Sequence, residues 1–451
     1  MKAIGLDIGT TSVSALVLDA GNGRVLDIVN VPNDARIPAE AFWERAQDPE
    51  RIVSLVTGIV DELVRRYGPI GVIGVDGQMH GILYTDRDGM AVSPLYTWQD
   101  GRGNLPYQDS TYAEALSELS GYQMRSGYGL TTHFWNTVNG QIPPEAVCFC
   151  SIMDYVVMRL CALRAPVMHS STAASFGMYS EEKGGWDRDA MEKAGIPDAV
   201  LPEVCRHAAL IGKEIHGIPV ACAIGDNQAS FIGSVRIPQG TLLVNMGTGG
   251  QVSMLDGEGQ TPAELERRPL NEGQRILVGS ALCGGRAYAI LEGFLRSCTA
   301  LGGHADENLF EAMNAAGIAA LREDRILPFD TRFCGTREMP CLRGSITGIG
   351  EDNFSAGALI GGCLTGMASE MYNLYCAMLT CRHEKAEYLV GSGNAIRKGP
   401  ALRLALEKTF ALELKIPAHT EEAAYGAALF GLTGAACFES LAQAQKMIRY
   451  I

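Results

Sequence analysis

The chain has 451 residues, 47% of them hydrophobic and 20% charged, a balance typical of a globular protein of about two or three domains. Its net charge of −14 argues against a nucleic-acid partner and against an anionic membrane surface, because both are bound through an excess of Lys and Arg. A small phosphorylated ligand stays compatible with this charge, since it needs only a local site.

The 13 cysteines are scattered, without the paired C-x-x-C spacing of a redox or zinc motif. Cys381-Arg382-His383 lacks the second half of a zinc signature. The sequence shows no signal peptide and no apolar run approaching the about 18 residues of a membrane span. We therefore expect a cytoplasmic protein with reduced thiols.

The first 19 residues predict two strands joined by a tight turn. Residues 2–8 and 12–19 are the strands, and Gly9-Thr10-Thr11 is the turn between them. Such a turn can offer backbone N–H groups and hydroxyls to an anion, and Asp7 just before it could meet a phosphate-bound Mg²⁺. An ordinary hairpin with a solvated Asp7 at its mouth explains the same residues.

The elements that follow predict a mixed α/β sheet. Residues 24–31 read as a third strand, and the apolar spacing within residues 47–67 predicts a helix that Gly68-Pro69 stops. A short buried strand over residues 70–75 then ends in the polar run 76–81. Ligands tend to bind at such strand ends.

The middle of the chain is less regular. Residues 96–104 form a loop rich in hydrogen-bonding side chains, and residues 151–163 predict a helix. Residues 218–236 predict a strand, a Gly-Asp-Asn turn and a helix of small residues. We place the domain boundary after this helix, which gives a first domain of residues 1–236 and a second of residues 237–451.

The opening arrangement recurs in the second domain. Residues 241–255 again predict strand, Gly-rich turn and strand, and residues 276–290 predict the next hairpin. A helix over residues 358–380 leads to a strand at 388–390 that ends in Gly391-Ser392-Gly393-Asn394. The order parallels the first domain and predicts a duplicated α/β unit.

Six motifs keep one order along the chain: DIGTTS at the start, GQMHG at 77–81, WQDGR at 98–102, IGDNQA at 224–229, NMGTGG at 245–250 and GSGN at 391–394. Together they resemble the FGGY carbohydrate kinases. The resemblance implies a duplicated ribonuclease-H-like, actin-like ATPase fold with two domains flanking a catalytic cleft. SGYGLTTHFW (126–135), STAASFGMY (171–179) and GTREMPCLRGSITGI (335–349) resemble the sedoheptulokinase branch most.

The resemblance implies that Asp226 is the general base and that Asp7 approaches the nucleotide-bound Mg²⁺. A carboxylate on a turn between a strand and a helix can accept the proton of a primary alcohol, which agrees with the first role. Asp226 could otherwise cap the helix that begins at Asn227.

The phosphate-binding turns implied by the resemblance comprise Gly9, Thr10, Thr11 and Ser12 in the first domain and Gly247, Thr248 and Gly249 in the second. The implied adenosine motif comprises Gly391, Gly393 and Asn394. This chain has Gly249 where the family commonly has Ser, and Ser392 interrupts a run of glycines that is common there.

Sugar recognition by position involves His80, Asp100 and Arg102, with Gln78, Met79, Trp98 and Asn227 as neighbours. A carboxylate, a guanidinium and an imidazole suit polyol hydroxyls, which both donate and accept hydrogen bonds. Each of these loops would otherwise be an ordinary surface turn. The helix predicted over 421–431 has a small face (Ala424, Ala427, Ala428, Gly431) suited to close packing.

The resemblance thus implies ATP-dependent phosphorylation of a ketose at a primary hydroxyl, with Mg²⁺, and sedoheptulose to sedoheptulose 7-phosphate as the leading reaction. Xylulokinase, ribulokinase and glycerol kinase activities are near alternatives. A non-catalytic sugar or nucleotide sensor and an actin- or chaperone-like ATPase are distant ones, and the presence of Asp7 and Asp226 argues against the sensor. The expected partner is a small-molecule sugar, with no nucleic acid and no membrane, for a monomer or a homodimer.

Overall fold

The computed structural model describes residues 1–197, 200–257, 259–304, 308–336, 339, 341–382 and 384–451. Arg337, Glu338 and Pro340 of the GTREMPCLRGSITGI motif, and His383 of the Cys-Arg-His triplet, lie outside these residues.

The chain divides into two compact units. The first unit contains Met1–Arg236, Pro269–Gln274 and His419–Arg449, and the second contains Ile237–Arg268, Arg275–Ala418 and Tyr450–Ile451. The division therefore differs from the predicted domains in two later segments, which belong to the first unit rather than the second.

The strands are, in chain order, β1 (Lys2–Ile8), β2 (Ser12–Asp19), β3 (Arg24–Pro32), β4 (Arg36–Ile37), β5 (Ala46–Gln47), β6 (Val72–Gly77), β7 (Leu83–Thr85), β8 (Leu95–Tyr96), β9 (Pro106–Tyr107), β10 (Ser110–Thr111), β11 (Cys148–Cys150), β12 (Val167–His169), β13 (Tyr179–Ser180), β14 (Gly185–Trp186), β15 (Glu203–Cys205), β16 (Leu210–Lys213), β17 (Pro219–Ala221), β18 (Ile224–Gly225), β19 (Thr241–Met246), β20 (Gly250–Leu255), β21 (Leu265–Asn271), β22 (Gln274–Ala281), β23 (Phe329–Asp330), β24 (Ser345–Ile346), β25 (Tyr388–Ser392) and β26 (Leu414–Lys415).

The helices are, in chain order, α1 (Pro49–Tyr67), α2 (Tyr112–Ser120), α3 (Gly129–Val138), α4 (Ile152–Leu160), α5 (Ser170–Phe176), α6 (Arg188–Lys193), α7 (Asp226–Ser234), α8 (Gly285–Ala300), α9 (Phe310–Glu323), α10 (Ala356–Cys381), α11 (Asn394–Lys398), α12 (Pro400–Phe410), α13 (Glu422–Gly434) and α14 (Leu441–Gln445).

The main sheet of the first unit has the order β16-β17-β6-β1-β2-β3, and β18 also pairs with β6. β1 is antiparallel to β2 and parallel to β6, and β18 is parallel to β6 as well. Asp7 lies opposite Asp76 in the register of β1 and β6, and Gly225 lies opposite Gly77. The carboxyl ends of β1, β6 and β18 therefore meet at one edge of the sheet.

The main sheet of the second unit has the order β21-β22-β20-β19-β25-β26. β19 is antiparallel to β20 and parallel to β25, and β25 is parallel to β26. This succession matches β2, β1, β6 and β17 of the first unit, so the predicted duplication is confirmed.

The predicted hairpin over residues 276–290 is wrong in its second half. β22 pairs with β20, and the chain enters α8 at Gly285 instead of returning as a strand. Ala287 and Leu291 are buried four residues apart, which is the spacing of a helix with one apolar face.

Helix α13 packs on β1 and β6 at a distance that only glycine permits. A Cβ added to Gly5 would lie 1.8 Å from the carbonyl oxygen of Ala424, and one added to Gly74 would lie 1.9 Å from that of Ala427. The predicted close packing of the 421–431 helix is confirmed. This contact places α13 in the first unit. A division of the sequence at a single boundary could not predict it.

Gly74→Ala is expected to lower the free energy of unfolding by about 3 kcal/mol, because the new methyl group would force α13 away from the sheet. Gly58→Ala is the matched control: Gly58 lies inside α1 with no atom within 4 Å of an added Cβ. This variant should gain up to about 1 kcal/mol from helix propensity. Urea unfolding checks both values, and equal effects would contradict the packing described here.

Candidate active site

Four carboxylates gather near the strand ends of the first unit. Asp7 lies near the end of β1, Asp76 lies beside it in β6, Asp226 begins α7, and Glu421 immediately precedes α13. Burial raises the pKa of Asp7 to about 7, and the charges of Asp226 and Glu421 act in the same direction. The electrostatic potential at this edge of the sheet is therefore strongly negative.

Asp76 is the most enclosed of these four groups, with 0% of its surface exposed. Burial raises its pKa well above the ordinary value, and the charges of Asp7 and Asp226 raise it further. The sequence placed Asp76 at a strand end but gave it no role. An Asp within the otherwise apolar run Val72–Gly77 was the signal that could have identified it.

Asp226 is fixed at a tight junction between β18 and α7. Its Oδ1 accepts a hydrogen bond from the backbone N–H of Asn227 at 2.6 Å. The N–H of Gly225 donates to Ser171 Oγ at 3.2 Å, and a Cβ at Gly225 would lie 2.6 Å from Met79 Sδ. The N-cap position of α7 is Gly225, so Asp226 does not occupy the predicted capping position.

The predicted phosphate turn of the first unit is held from outside by Asn33. The Nδ2 of Asn33 donates to the carbonyl oxygen of Gly9, and its backbone N–H donates to that of Thr11, both at 2.9 Å. A Cβ at Gly9 would lie 2.9 Å from the carbonyl oxygen of Ser12, so the turn is also internally tight.

Thr10 links this turn to the predicted sugar residues. Its hydroxyl donates to Gln78 Oε1 at 3.2 Å and accepts from Trp98 Nε1 at 3.0 Å. Gln47 bridges the same residues, since it accepts from Gln78 Nε2 at 2.8 Å and donates to the Thr10 carbonyl oxygen at 2.9 Å. The hydroxyl hydrogen of Thr10 is thus used within the protein, and its N–H is the group left to face an anion.

His80 is oriented by Ser175 and Tyr128. Its Nδ1 lies 2.7 Å from the carbonyl oxygen of Ser175, and its ring stacks on Tyr128 with centroids 4.8 Å apart. A carbonyl oxygen only accepts, so Nδ1 carries the hydrogen and Nε2 is the acceptor nitrogen of the neutral ring. His80 has a φ of 73°, a left-handed conformation that costs a non-glycine residue about 1 kcal/mol or more.

The loop before α3 joins the His80 and Trp98 regions. Gly127 has a φ of 84°, and a Cβ there would lie 2.1 Å from the carbonyl oxygen of Trp98. Its neighbour Tyr128 is the residue that stacks on His80. The sequence singled out this segment without assigning its aromatic residue a role.

Asp100 and Arg102 form an ion pair with each other, and both also line a cavity of about 260 Å³. Both are buried, with Arg102 Nε 2.7 Å from Asp100 Oδ1. The Asp100 oxygens also accept from the backbone N–H groups of Arg45 and Arg102, each at 3.1 Å. The Arg102 guanidinium lies 4.1 Å from the ring centre of Tyr96 and 4.8 Å from that of Trp135. This ion pair helps to hold the 96–104 loop, and the sugar contacts of Asp100 and Arg102 stay a prediction.

A Gly-rich turn of the second unit lies against the start of α8. The N–H of Gly285 donates to the carbonyl oxygen of Gly247 at 2.9 Å, and that of Arg286 donates to the Thr248 carbonyl oxygen at 3.1 Å. A Cβ at Gly284 would lie 2.2 Å from the carbonyl oxygen of Gly249. The positive end of a 16-residue helix thus adjoins the turn, which favours an anion there.

A cavity of about 620 Å³ adjoins this turn, and its lining includes Gly247, Thr248, Arg286, Tyr288, Phe310, Asn314, Asn394 and Lys398. Two polar atoms of these residues, Tyr288 Oη and Asn314 Oδ1, are buried without a hydrogen-bond partner among the residues that the structure describes. Aromatic walls, two cations and unsatisfied polar atoms beside an anion-favouring turn fit a nucleotide. Arg286, Lys398, Tyr288, Phe310 and Asn314 were not identified from the sequence.

Gly391 and Gly393 have packing roles in this unit. A Cβ at Gly391 would lie 2.9 Å from the Ile396 side chain, and one at Gly393 would lie 2.6 Å from the Met246 carbonyl oxygen. Gly393 also has a φ of 85°. These contacts hold the segment that brings Asn394 to the cavity, and the approach of a nucleoside to the two glycines stays a prediction.

Two further features concern the whole chain. Within the described ranges, no helix is long and apolar enough to cross a membrane. All 13 cysteines are free thiols.

The comparisons with known proteins agree with this arrangement. A model of the N-terminal domain of the FGGY family of carbohydrate kinases matches residues 2–233. Sedoheptulokinase of Mus musculus is 29% identical to this chain over 470 residues, which cover 94% of the chain and 96% of that protein. The Homo sapiens sedoheptulokinase is 28% identical over 471 residues, with the same coverage of 94% and 96%.

Among solved structures, the chain is similar to a xylulose kinase from Rhodospirillum rubrum, with a TM-score of 0.86 and 18% sequence identity. The match covers 100% of this chain and 93% of that one. At this identity the likeness concerns the fold, and it confirms the predicted duplicated α/β architecture.

Proposed function

The chain belongs to the FGGY family of carbohydrate kinases, which use ATP, and from this premise we propose that it phosphorylates a ketose at a primary hydroxyl. The proposed substrate is sedoheptulose and the product sedoheptulose 7-phosphate. The observation that carries the proposal is the placement of Asp226 at a rigid strand–helix junction beside Asp7 and Asp76.

Asp226 is the proposed general base. Its carboxylate accepts the proton of the primary hydroxyl as the oxygen attacks the γ-phosphorus. The fixed turn at Gly225 supports this role, because a base must be held within hydrogen-bond reach of the hydroxyl.

The proposed sugar site comprises His80, Trp98, Gln78, Met79 and Asn227. Nε2 of His80 accepts a hydrogen bond from a sugar hydroxyl, while Trp98 lies beside the carbon chain. Thr10 holds Gln78 and Trp98 in place through its hydroxyl. The Asp100–Arg102 pair contributes indirectly, since it fixes the loop that carries Trp98.

In the first unit the proposed phosphate contacts are backbone N–H groups of the Gly9–Ser12 turn. In the second unit they are those of the Gly247–Gly249 turn. Arg286 and Lys398 neutralise phosphate charge, and Asn394 and Tyr288 lie beside the nucleoside. Asp7 and its neighbouring carboxylates have the oxygen ligands that Mg²⁺ prefers, and bound Mg²⁺ neutralises the charge that develops on the transferring phosphate. The 13 free thiols support a cytoplasmic setting.

The choice of sedoheptulose is supported by similarity over nearly the full length of the mouse and human sedoheptulokinases. The similarity to a xylulose kinase concerns the fold alone, and xylulose is the main alternative substrate.

A substrate panel tests the proposal. Purified protein with ATP and Mg²⁺ should give a higher kcat/KM for sedoheptulose than for xylulose, ribulose or glycerol, with the phosphate recovered on the sugar. A higher kcat/KM for a five-carbon ketulose would overturn the choice of sugar. ATP hydrolysis without a sugar phosphate would overturn the proposed transfer.

A further inference from the structure

Asp76 has no structural partner that would explain a buried carboxylate. Its side chain is fully buried, no Lys, Arg or amide group of the described residues donates to either carboxyl oxygen, and its side-chain partner is the carboxyl group of Asp7. Buried carboxylates are normally paired with a cation or hydrogen-bonded by several donors, because removing the charge from water is otherwise strongly unfavourable. A role in folding alone therefore does not explain a carboxyl group at this position.

The charged groups that act on Asp76 are all acidic. They are Asp7, in register on the adjacent strand, Asp226 at the start of α7, and Glu421 at the start of α13. The N-terminus of α13 offers only about half a positive charge, and Glu421 stands at that end. The charged groups that act on Asp76 thus include three other carboxylates and no compensating Lys or Arg.

Asp7 and Asp76 also share one face of the sheet. They are paired in parallel register, and so are Gly5 and Gly74 two residues earlier. Side chains two residues apart in a strand point to the same side. Gly5 and Gly74 lie under α13, so both carboxylates belong to the face that this helix covers. They are therefore held side by side by backbone pairing, independently of any flexible loop.

We propose that Asp76 is a second carboxylate ligand of the divalent cation that Asp7 approaches, and that this pair binds the cation before a nucleotide is present. Mg²⁺ is usually held by one or two carboxylates, with water and substrate phosphates completing its coordination.

The competing explanation is a structural carboxyl pair in which Asp7 and Asp76 share one proton and no cation binds. The two explanations differ in what the protein does when it is offered a metal alone. The inference rests on the proposed function, because it adds a residue to the metal site proposed there. Its test needs neither sugar nor ATP, so a failed kinase assay and a failed metal-binding assay are separate results.

The experiment titrates Mn²⁺ into the full-length protein without nucleotide and measures free Mn²⁺ by electron paramagnetic resonance. The wild-type protein should bind one Mn²⁺, and Asp76→Asn should bind it at least about tenfold more weakly, since one of two carboxylate ligands is lost. Asp154→Asn is the matched control. Asp154 is also a buried Asp, in α4, and burial raises its pKa to about 7, but its variant should bind Mn²⁺ like the wild type.

Thermal unfolding provides the second measurement. Without cation, Asp76→Asn should unfold at a temperature no lower than that of the wild type, because the substitution removes a buried carboxyl group whose ionised form the neighbouring carboxylates disfavour. Mn²⁺ should raise the unfolding temperature of the wild type and leave that of Asp76→Asn nearly unchanged.

Three results would overturn the inference: a wild-type protein that binds no Mn²⁺ without nucleotide, an Asp76→Asn variant that binds it equally well, or an Asp76→Asn variant that is less stable than the wild type or fails to fold. The last result would show that Asp76 acts as a structural partner of Asp7.

Discussion

Asp226→Asn is expected to lower kcat by a factor of about 10²–10⁴, the usual contribution of a general base, with a much smaller effect on the KM for sugar. The amide cannot accept the hydroxyl proton. Its carbonyl oxygen still accepts the hydrogen bond from the Asn227 N–H, so the local structure should be preserved. Steady-state kinetics with the preferred ketose, together with sugar binding followed by calorimetry, measures both quantities.

Asp48→Asn is the matched control for this variant. Asp48 also lies at a helix start, where its Oδ1 accepts from the N–H groups of Glu50 and Arg51 at 2.9 and 3.2 Å. Asn caps a helix about as well as Asp, so neither kcat nor stability should change appreciably. If Asp226→Asn kept kcat within about tenfold of the wild type, another group would have to accept the proton.

Asp100→Ala is expected to destabilise the first unit by about 3–5 kcal/mol, the usual result of removing one partner of a buried ion pair. Arg102 would remain buried against Tyr96 and Trp135 without its carboxylate. All four tryptophans, Trp43, Trp98, Trp135 and Trp186, belong to the first unit. Their fluorescence during urea unfolding therefore reports on that unit.

Asp34→Ala is the control for an ion pair of similar distance at the surface. Arg51 Nε lies 2.8 Å from Asp34 Oδ1, but the two side chains are 45% and 56% exposed. Removing such a pair should change stability by less than about 1 kcal/mol. Similar losses in the two variants would show that burial does not strengthen the Asp100–Arg102 pair, and its structural role would then have to be abandoned.

The local elements of this fold were predictable because their signals are local. The strand at residues 2–8 and the helix after residue 225 are bounded by Gly, Asp and Pro residues within a few positions of their ends. The duplication was predictable as well, because the same succession of strand, turn and strand occurs at 241–255. The assigned roles of Asp7 and Asp226 remain predictions, although both residues lie in the carboxylate cluster.

Long-range contacts could not be predicted in the same way. Arg102 pairs inward because Tyr96 and Trp135 supply an aromatic surface, and nothing near WQDGR in the sequence indicates the second of these residues. The hydroxyl of Thr10 binds Gln78 and Trp98, which are distant in sequence and adjacent only after folding. The sequence signal of Asp76, an Asp in an apolar run, acquires its meaning from the pairing with Asp7 in the sheet.

The contact of α13 with β1 and β6 has a consequence for the order in which the molecule is completed during synthesis. A ribosome produces Gly5 and Gly74 early, whereas the helix that covers them emerges after nearly all of the second unit. The sheet of the first unit must therefore wait, with one face uncovered, until residues 422–434 are available. A fragment ending at Arg236 lacks this cover, so we expect that the two halves of the sequence, when expressed separately, do not fold as independent units.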